Sequence, residues 1–243
     1  MITGVLSAKG GVGKTTLSTN LALALHKMGQ DTVLVDGDYR NPNVCLHLGK
    51  FDSDTCVQDI IQGNAGVIES LYIHKSGMKY IPAKLSMSFM RLNADGLGRI
   101  LRDAGTDMIL DSAPGINDDV LAIMNAIDRA IIITTPDIPS IADAMRTIEV
   151  CRRLNKEIEG IVVNRMSRHH KIKPSEIEAV TGVKVLGVVP EDKSVVKSLR
   201  EKRLVIEAYP HSNATEALMN IAAHISGKQY KGKRLAKIKR VFK

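Results

Sequence analysis

The segment from Ile2 to Thr16 constrains this chain more than any other. It reads Ile-Thr-Gly-Val-Leu-Ser-Ala-Lys-Gly-Gly-Val-Gly-Lys-Thr-Thr, a short β-branched run, a glycine-rich turn and then the start of a helical period. A strand that feeds a glycine turn at a helix N-terminus is the context of a phosphate-binding loop. Gly10, Gly11 and Gly13 permit backbone angles and close approaches that a side chain would block. Successive N–H groups around Val12 can therefore converge on phosphate oxygens at the positive end of the helix. In such a loop Lys14 reaches the β- and γ-phosphates, the Thr15 hydroxyl ligates Mg²⁺, and Thr16 continues the first turn. The strict G-x-x-x-x-G-K-[ST] spacing fails at its first position, Ala8, and a second lysine, Lys9, precedes the paired glycines.

Downstream, short apolar runs alternate with longer segments of helical period, which predicts strand–helix–strand units over a largely parallel sheet. The expected strands are residues 2–6, 32–35, 78–81, 108–110, 130–134, 160–163 and 185–189. Most are continuously apolar, as strands covered on both faces should be. Leu17, Leu21, Ala24, Leu25 and Met28 form one helix face ending at Gly29, and residues 141–154 and 214–225 are similarly periodic. The fold class is α/β, a three-layer sandwich with a mostly parallel central sheet flanked by helices. No linker or repeat divides residues 1–227, which read as one domain followed by a tail at 228–243.

That tail holds the charge. The net charge is +8, and Lys228, Lys231, Lys233, Arg234, Lys237, Lys239, Arg240 and Lys243 supply all of it, leaving a neutral body. From Lys233 onward, helical spacing puts Leu235, Ile238, Val241 and Phe242 within an arc of roughly 120°, with Lys237 and Arg240 among the cations around it. A small basic amphipathic helix suits an anionic membrane surface. Four partly buried apolar side chains yield ~4 kcal/mol, and each cation near the surface up to ~1 kcal/mol before screening. A lone tail then binds weakly, and two on one dimer bind much better. A clamp on nucleic acid is the other reading, although phosphate neutralisation alone needs no apolar face, and aromatic residues for base stacking are only 3% of the chain. Cys45, Cys56 and Cys151 form neither a disulfide framework nor a CxxC pair, and the residue pattern predicts neither a leader nor a membrane-spanning run. The expectation is a cytoplasmic protein, peripheral at the inner face of the cell membrane.

Lys9-Gly-Gly-Val-Gly-Lys-Thr-Thr16 resembles the deviant Walker A motif of the MinD/ParA superfamily of dimerising ATPases. Asp36-Gly-Asp38 followed by Asn41-Pro-Asn43 resembles its switch I, and Leu110-Asp-Ser-Ala-Pro-Gly115 its switch II. Thr135-Pro-Asp137 and Gly187-Val-Val-Pro-Glu-Asp192 are closer to the MinD branch than to others. The order Ala113-Pro114 is reversed from many MinD sequences, while Gly115, whose N–H would face the γ-phosphate, is kept. The resemblance implies that ATP and Mg²⁺ are the cofactors, with Thr15, Asp36 and Asp111 at the metal and Asp38 orienting the attacking water. It further implies that Lys9 reaches across an ATP-dependent homodimer, acting with Lys14 and Asp38 in catalysis, and that Asp143 holds Lys9 in the resting monomer. Asn164, Arg165 and the Pro190-Glu191-Asp192 segment map to the base. The GTPase motif Asn-Lys-x-Asp is not there, since the corresponding strand end reads Val163-Asn164-Arg165-Met166. The implied function is a MinD-like ATPase that docks reversibly on the membrane and positions a division or polar apparatus, with an activating or cargo protein of unknown identity. A ParA-like DNA-partitioning ATPase and an Mrp-type metallocluster carrier are the alternatives.

Overall fold

The computed structural model describes residues 1–51, 53–86, 92, 94–230 and 232. The tail residues singled out above, Leu235, Lys237, Ile238, Arg240, Val241 and Phe242, lie outside the described residues. Eight strands form one sheet in the order β3-β4-β2-β5-β1-β6-β7-β8. They are β1 (Ile2–Leu6), β2 (Thr32–Asp36), β3 (Tyr72–Ile73), β4 (Lys79–Ile81), β5 (Asp107–Asp111), β6 (Arg129–Thr134), β7 (Glu157–Met166) and β8 (Val185–Pro190). All neighbours run parallel except β3 against β4.

The strands are apolar throughout because both faces are covered, and alternate residues serve different layers. In β2, Val33 and Val35 join one core cluster and Leu34 the other. In β5 Met108 and Leu110 oppose Ile109, and in β6 Ala130 and Ile132 oppose Ile131 and Ile133. The first cluster packs under α3 (Val57–Gln62), α4 (Leu97–Asp103), α5 (Asp118–Ala126), α6 (Ile138–Arg153) and α7 (Pro174–Thr181). The second packs under α1 (Lys14–Lys27), α2 (Val44–Leu48), α9 (Val205–Ala208) and α10 (Asn213–Ile225), while α8 (Lys193–Arg200) leans on its edge through Val195.

The expected strands are therefore present, several extended by a residue or more, while β4 begins one residue later than expected, at Lys79. The hairpin partner β3 is additional: two residues are too short to show a period, and Tyr72 stacks beside Tyr80 with ring centroids 5.9 Å apart. The chain also remains packed beyond residue 227. Lys228 Nζ donates to the Met28 carbonyl at the end of α1, and Tyr230 packs on the second cluster.

Candidate nucleotide site

Parallel strands deliver their C-terminal ends to one edge of the sheet, where ligands of open α/β folds sit. Here β1, flanked by β5 and β6, feeds the glycine loop, and α1 starts at Lys14 behind it. Gly13 caps this helix with φ +100°, and a Cβ there would run into the Asn164 amide. Only glycine meets both demands. No acid stands in the first turn of α1, so its free N–H groups face an unneutralised positive end.

Three carboxylates and one ammonium share the buried side of the loop. Asp36 and Asp111 are opposite each other at the ends of the adjacent strands β2 and β5. The two strand ends close tightly, since the Gly37 N–H donates to the Asp111 carbonyl at 2.8 Å and a Cβ on Gly37 would lie 2.6 Å from that oxygen. Asp36 accepts the N–H groups of Asp38 at 3.2 Å and Val44 at 3.1 Å, and Asp38 accepts that of Asn41 at 3.1 Å. Ser18 Oγ donates to Asp111 Oδ1 at 2.8 Å, whereas Asp111 Oδ2 is buried without a partner.

This charge balance is unfavourable as it stands. Burial, with the Asp111 charge beside it, raises the Asp36 carboxyl well above its ordinary range. Burial likewise carries Asp111 to about 6, against the lowering hydroxyls of Thr15 and Ser18. Asp38 is raised by burial, and Lys14 is lowered by burial despite the pull of Asp111 and Asp38. An orphaned carboxylate oxygen next to a threonine hydroxyl, with excess negative charge around it, is a hard-oxygen donor set that fits Mg²⁺. Thr15, Asp36 and Asp111 are the residues that would hold it, directly or through its waters.

On the outer side of the loop, Lys9 points away from this cluster. Its Nζ donates to Ser140 Oγ at 2.7 Å and to Asp137 Oδ1 at 3.1 Å. The partner implied by the resemblance was Asp143, but that residue lies in the second turn of α6 and pairs with Arg146. Asp137 caps α6 by accepting the Ser140 N–H at 3.0 Å. Partial burial works against its charge, yet the donors Thr135, Ser140 and Lys9 hold its carboxyl far below the ordinary range.

Seven of the predicted residues line a cavity of about 230 Å³ between the start of α1, the end of β7 and the start of α8, while Gly10, Gly11 and Val12 border a neighbouring one over Lys9. Gly13, Thr16, Asn164, Arg165, Pro190, Glu191 and Asp192 are on the wall of the first, together with Leu17, Val196 and Leu199, which sequence reasoning had not assigned. Asn164 Nδ2 donates to the Val12 carbonyl at 2.7 Å and so ties β7 to the phosphate loop. Asp192 has structural duties besides, because its carboxylate accepts the N–H groups of Ser194 at 2.8 Å and Ala214 at 3.2 Å and thereby caps α8 against α10. Arg165 has φ +55°, a rare conformation for a residue with a side chain, and it borders both this cavity and the one over Lys9. Gly115, at φ +99°, follows β5 on the same edge.

A phosphate cradle, a buried lysine, an acidic metal corner and a base-sized cavity in line define a P-loop nucleotide-binding protein. The sequence matches the CbiA family, described as the CobQ/CobB/MinD/ParA nucleotide binding domain, over residues 4–205, and the chain belongs to that family. It is 35% identical to an uncharacterised ATP-binding protein of Methanocaldococcus jannaschii, covering 93% of this chain and 88% of that one. It is 29% identical to the antiactivator FleN of Pseudomonas aeruginosa, covering 91% and 84%. Among solved structures, the cell division ATPase MinD of Pyrococcus furiosus superposes with TM-score 0.89 at 28% identity, covering 93% of this chain and 98% of that one. The septum site-determining protein MinD of Pyrococcus horikoshii, complexed with Mg-ADP, superposes with TM-score 0.88 at 26% identity over 98% of both chains. The protein is an ATP hydrolase, and ATP and Mg²⁺ are its cofactors.

Proposed function

We propose that this protein is a MinD-like ATPase that dimerises on ATP, docks reversibly at the cytoplasmic face of the cell membrane through its C-terminal basic amphipathic segment, and so positions a division or other polar apparatus. The observation that carries the reading is the orientation of Lys9. A lysine one residue before the glycine loop, held outward by Asp137 and Ser140, is placed to engage something beyond its own nucleotide. Exposed apolar side chains also stand on α6, the helix whose cap Asp137 holds Lys9: Ile138 and Met145 are 76% and 44% exposed on one of its faces. Such a patch beside an exposed lysine suits a second copy closing over the nucleotides.

Within each protomer, the loop N–H groups and Lys14 bind the triphosphate, and Gly115 offers its N–H to the γ-phosphate. Bound Mg²⁺ offsets the charge of the β- and γ-phosphates. Asp38 orients the attacking water and accepts its proton. Asn164, Arg165, Pro190, Glu191 and Asp192 hold the base. An activating or cargo protein completes the cycle.

One second reading has an observation of its own. Arg165 at the end of β7 and Arg168, His169, His170, Lys171 and Lys173 after it are all exposed with no acid among them, which suits DNA partitioning on a polyanion. Co-sedimentation separates the two. The full chain and a chain ending at Gly232, which keeps the Lys228 and Tyr230 contacts, are spun with anionic phospholipid vesicles or duplex DNA, each with ATP or ADP. ATP-dependent vesicle pelleting lost on truncation is expected; pelleting with DNA alone overturns the membrane reading.

A further inference from the structure

The loop that presents Asp38 is bracketed on both sides by one strand–helix unit, β5–α5. Upstream of Asp38 the Gly37 N–H is bonded to the Asp111 carbonyl at the end of β5. Downstream, the next two residues both reach a single carboxylate at the start of α5. Tyr39 Oη donates to Asp119 Oδ1 at 2.7 Å, and Arg40 Nη2 donates to the same oxygen at 2.8 Å while its Nε pairs with Oδ2. A carboxylate engaged by a buried phenol and a guanidinium is well fixed, because each charge-assisted bond restrains the others. Tyr39 is only 2% exposed and its carbonyl accepts Gln58 Nε2 at 2.9 Å, so the ring cannot follow an alternative path without leaving the core. Burial and the adjacent Asp119 push the Tyr39 phenol up, which keeps it an O–H donor.

Between Asp111 and Asp119 lies the Ser112–Asn117 connection that carries Gly115. α5 itself is anchored independently of Asp119, since Asn117 caps it by accepting the Val120 N–H at 3.0 Å. Asp119 is therefore spare as a helix-capping acid, and its carboxylate is directed at the other loop. We infer that Asp119 is a positioning residue for ATP hydrolysis: it clamps Tyr39 and Arg40 so that Asp38 keeps its place relative to the loop that meets the γ-phosphate. The inference rests on the reading of Asp38 as the group that orients the attacking water. It makes the two loops a unit, in which a shift of the Gly115 segment on binding triphosphate is passed to Asp38 through the start of α5.

The test is steady-state ATP turnover by the full chain with Mg²⁺. Misplacing a reacting group by about 1 Å costs on the order of a hundredfold, so Asp119→Ala should lower kcat by roughly ten- to a hundredfold. The KM for ATP and the affinity for ADP should stay within about twofold of the parent, because binding does not use Asp38. Tyr39→Phe combined with Arg40→Ala should give the same loss, and adding Asp119→Ala to that pair should cost nothing more. An undiminished kcat in Asp119→Ala overturns the inference. So does a loss carried equally by KM, or losses that multiply in the triple variant. If Asp119→Ala fails to fold, the Tyr39→Phe, Arg40→Ala protein decides alone, and native kcat in it is fatal to the proposal. Asp38→Ala is measured beside these: normal turnover there removes the Asp38 reading itself, whereas a dead Asp38→Ala with an unimpaired Asp119→Ala removes only the role of Asp119.

Discussion

The two lysines of the phosphate loop, five residues apart, inhabit opposite electrostatic conditions. Lys14 is 7% exposed and faces three buried carboxylates that its single charge does not balance. Lys9 has a side chain 38% exposed and is matched by one carboxylate and one hydroxyl. The inner corner is thus incomplete without added cations, and the outer corner is complete but weak, since an ion pair in contact with water contributes about 0–1 kcal/mol. Nucleotide and metal should complete the first, and a binding event of modest strength can undo the second. The two halves of the loop can be broken separately.

The largest effect belongs to Lys14. Removing a preorganised donor from a water-excluded phosphate site costs about 10²–10³-fold in turnover, so Lys14→Ala should bring ATP hydrolysis close to background. Phosphate release from ATP measures this, and turnover within a few fold of the parent would remove the P-loop assignment. Gly13→Ala should follow. The added Cβ meets the Asn164 amide at a backbone angle that alanine avoids, and strain of this kind costs about 1–3 kcal/mol. Urea unfolding should show that loss, with ATP affinity falling alongside because Asn164 is levered off the Val12 carbonyl. An unchanged midpoint would mean the loop relaxes freely.

How much of this was readable beforehand depends on where the partners lie in the chain. The glycine loop could be placed because it follows a run whose apolar continuity marks a strand covered on two sides, and the resemblance that assigned Asp36 and Asp111 falls on the ends of two further such runs. Lys14, Thr15 and the strand ends are set by local geometry. The partners of Lys9 could not be found this way. Asp137 and Ser140 are 128 and 131 residues away in the chain, so nothing local to Lys9 points to them. Asp143 was a plausible substitute in sequence, but it falls one and a half turns further along α6, where it meets Arg146 instead. Asp119 was hidden for the same reason, being an acid in the first turn of a helix, where acids are common anyway. Short elements such as β3 and α2 gave too few residues for a period to show.

A smaller effect, and one that tests the inner corner without nucleotide, is the pH dependence of stability. The Asp111 carboxyl titrates near 6 in the folded protein and near the model-peptide value of 3.8 when unfolded. Between these values the native state holds a proton that the unfolded state has released, so this group's contribution to stability falls as pH rises through the window. Asp36, raised by burial and by Asp111, acts in the same direction. Asp111→Asn stays uncharged throughout, so the parent should gain on this variant as pH falls from 7 to 5. Mg²⁺ competes with the protons and should shrink the difference at pH 7. Thermal midpoints of both proteins with and without Mg²⁺ provide the measurement, and parallel curves would mean the corner is already balanced.

The smallest effect is at the outer corner, and its size is what makes it informative. Asp137→Asn keeps an acceptor for the Ser140 N–H, so the cap of α6 survives while the charge facing Lys9 is lost. Because both side chains of that pair are more than a third exposed, stability should move by less than about 1 kcal/mol. If Lys9 must leave Asp137 to cross to a second protomer, the same substitution removes a cost from dimerisation, and ATP-dependent association should tighten by a few fold, at most about tenfold for 1.4 kcal/mol. Sedimentation velocity over a concentration series with ATP reads that shift, with ADP as the control. Unchanged or weaker association in Asp137→Asn would mean that Asp137 is not withholding Lys9, and that the outward orientation of this lysine is a surface ion pair and nothing more.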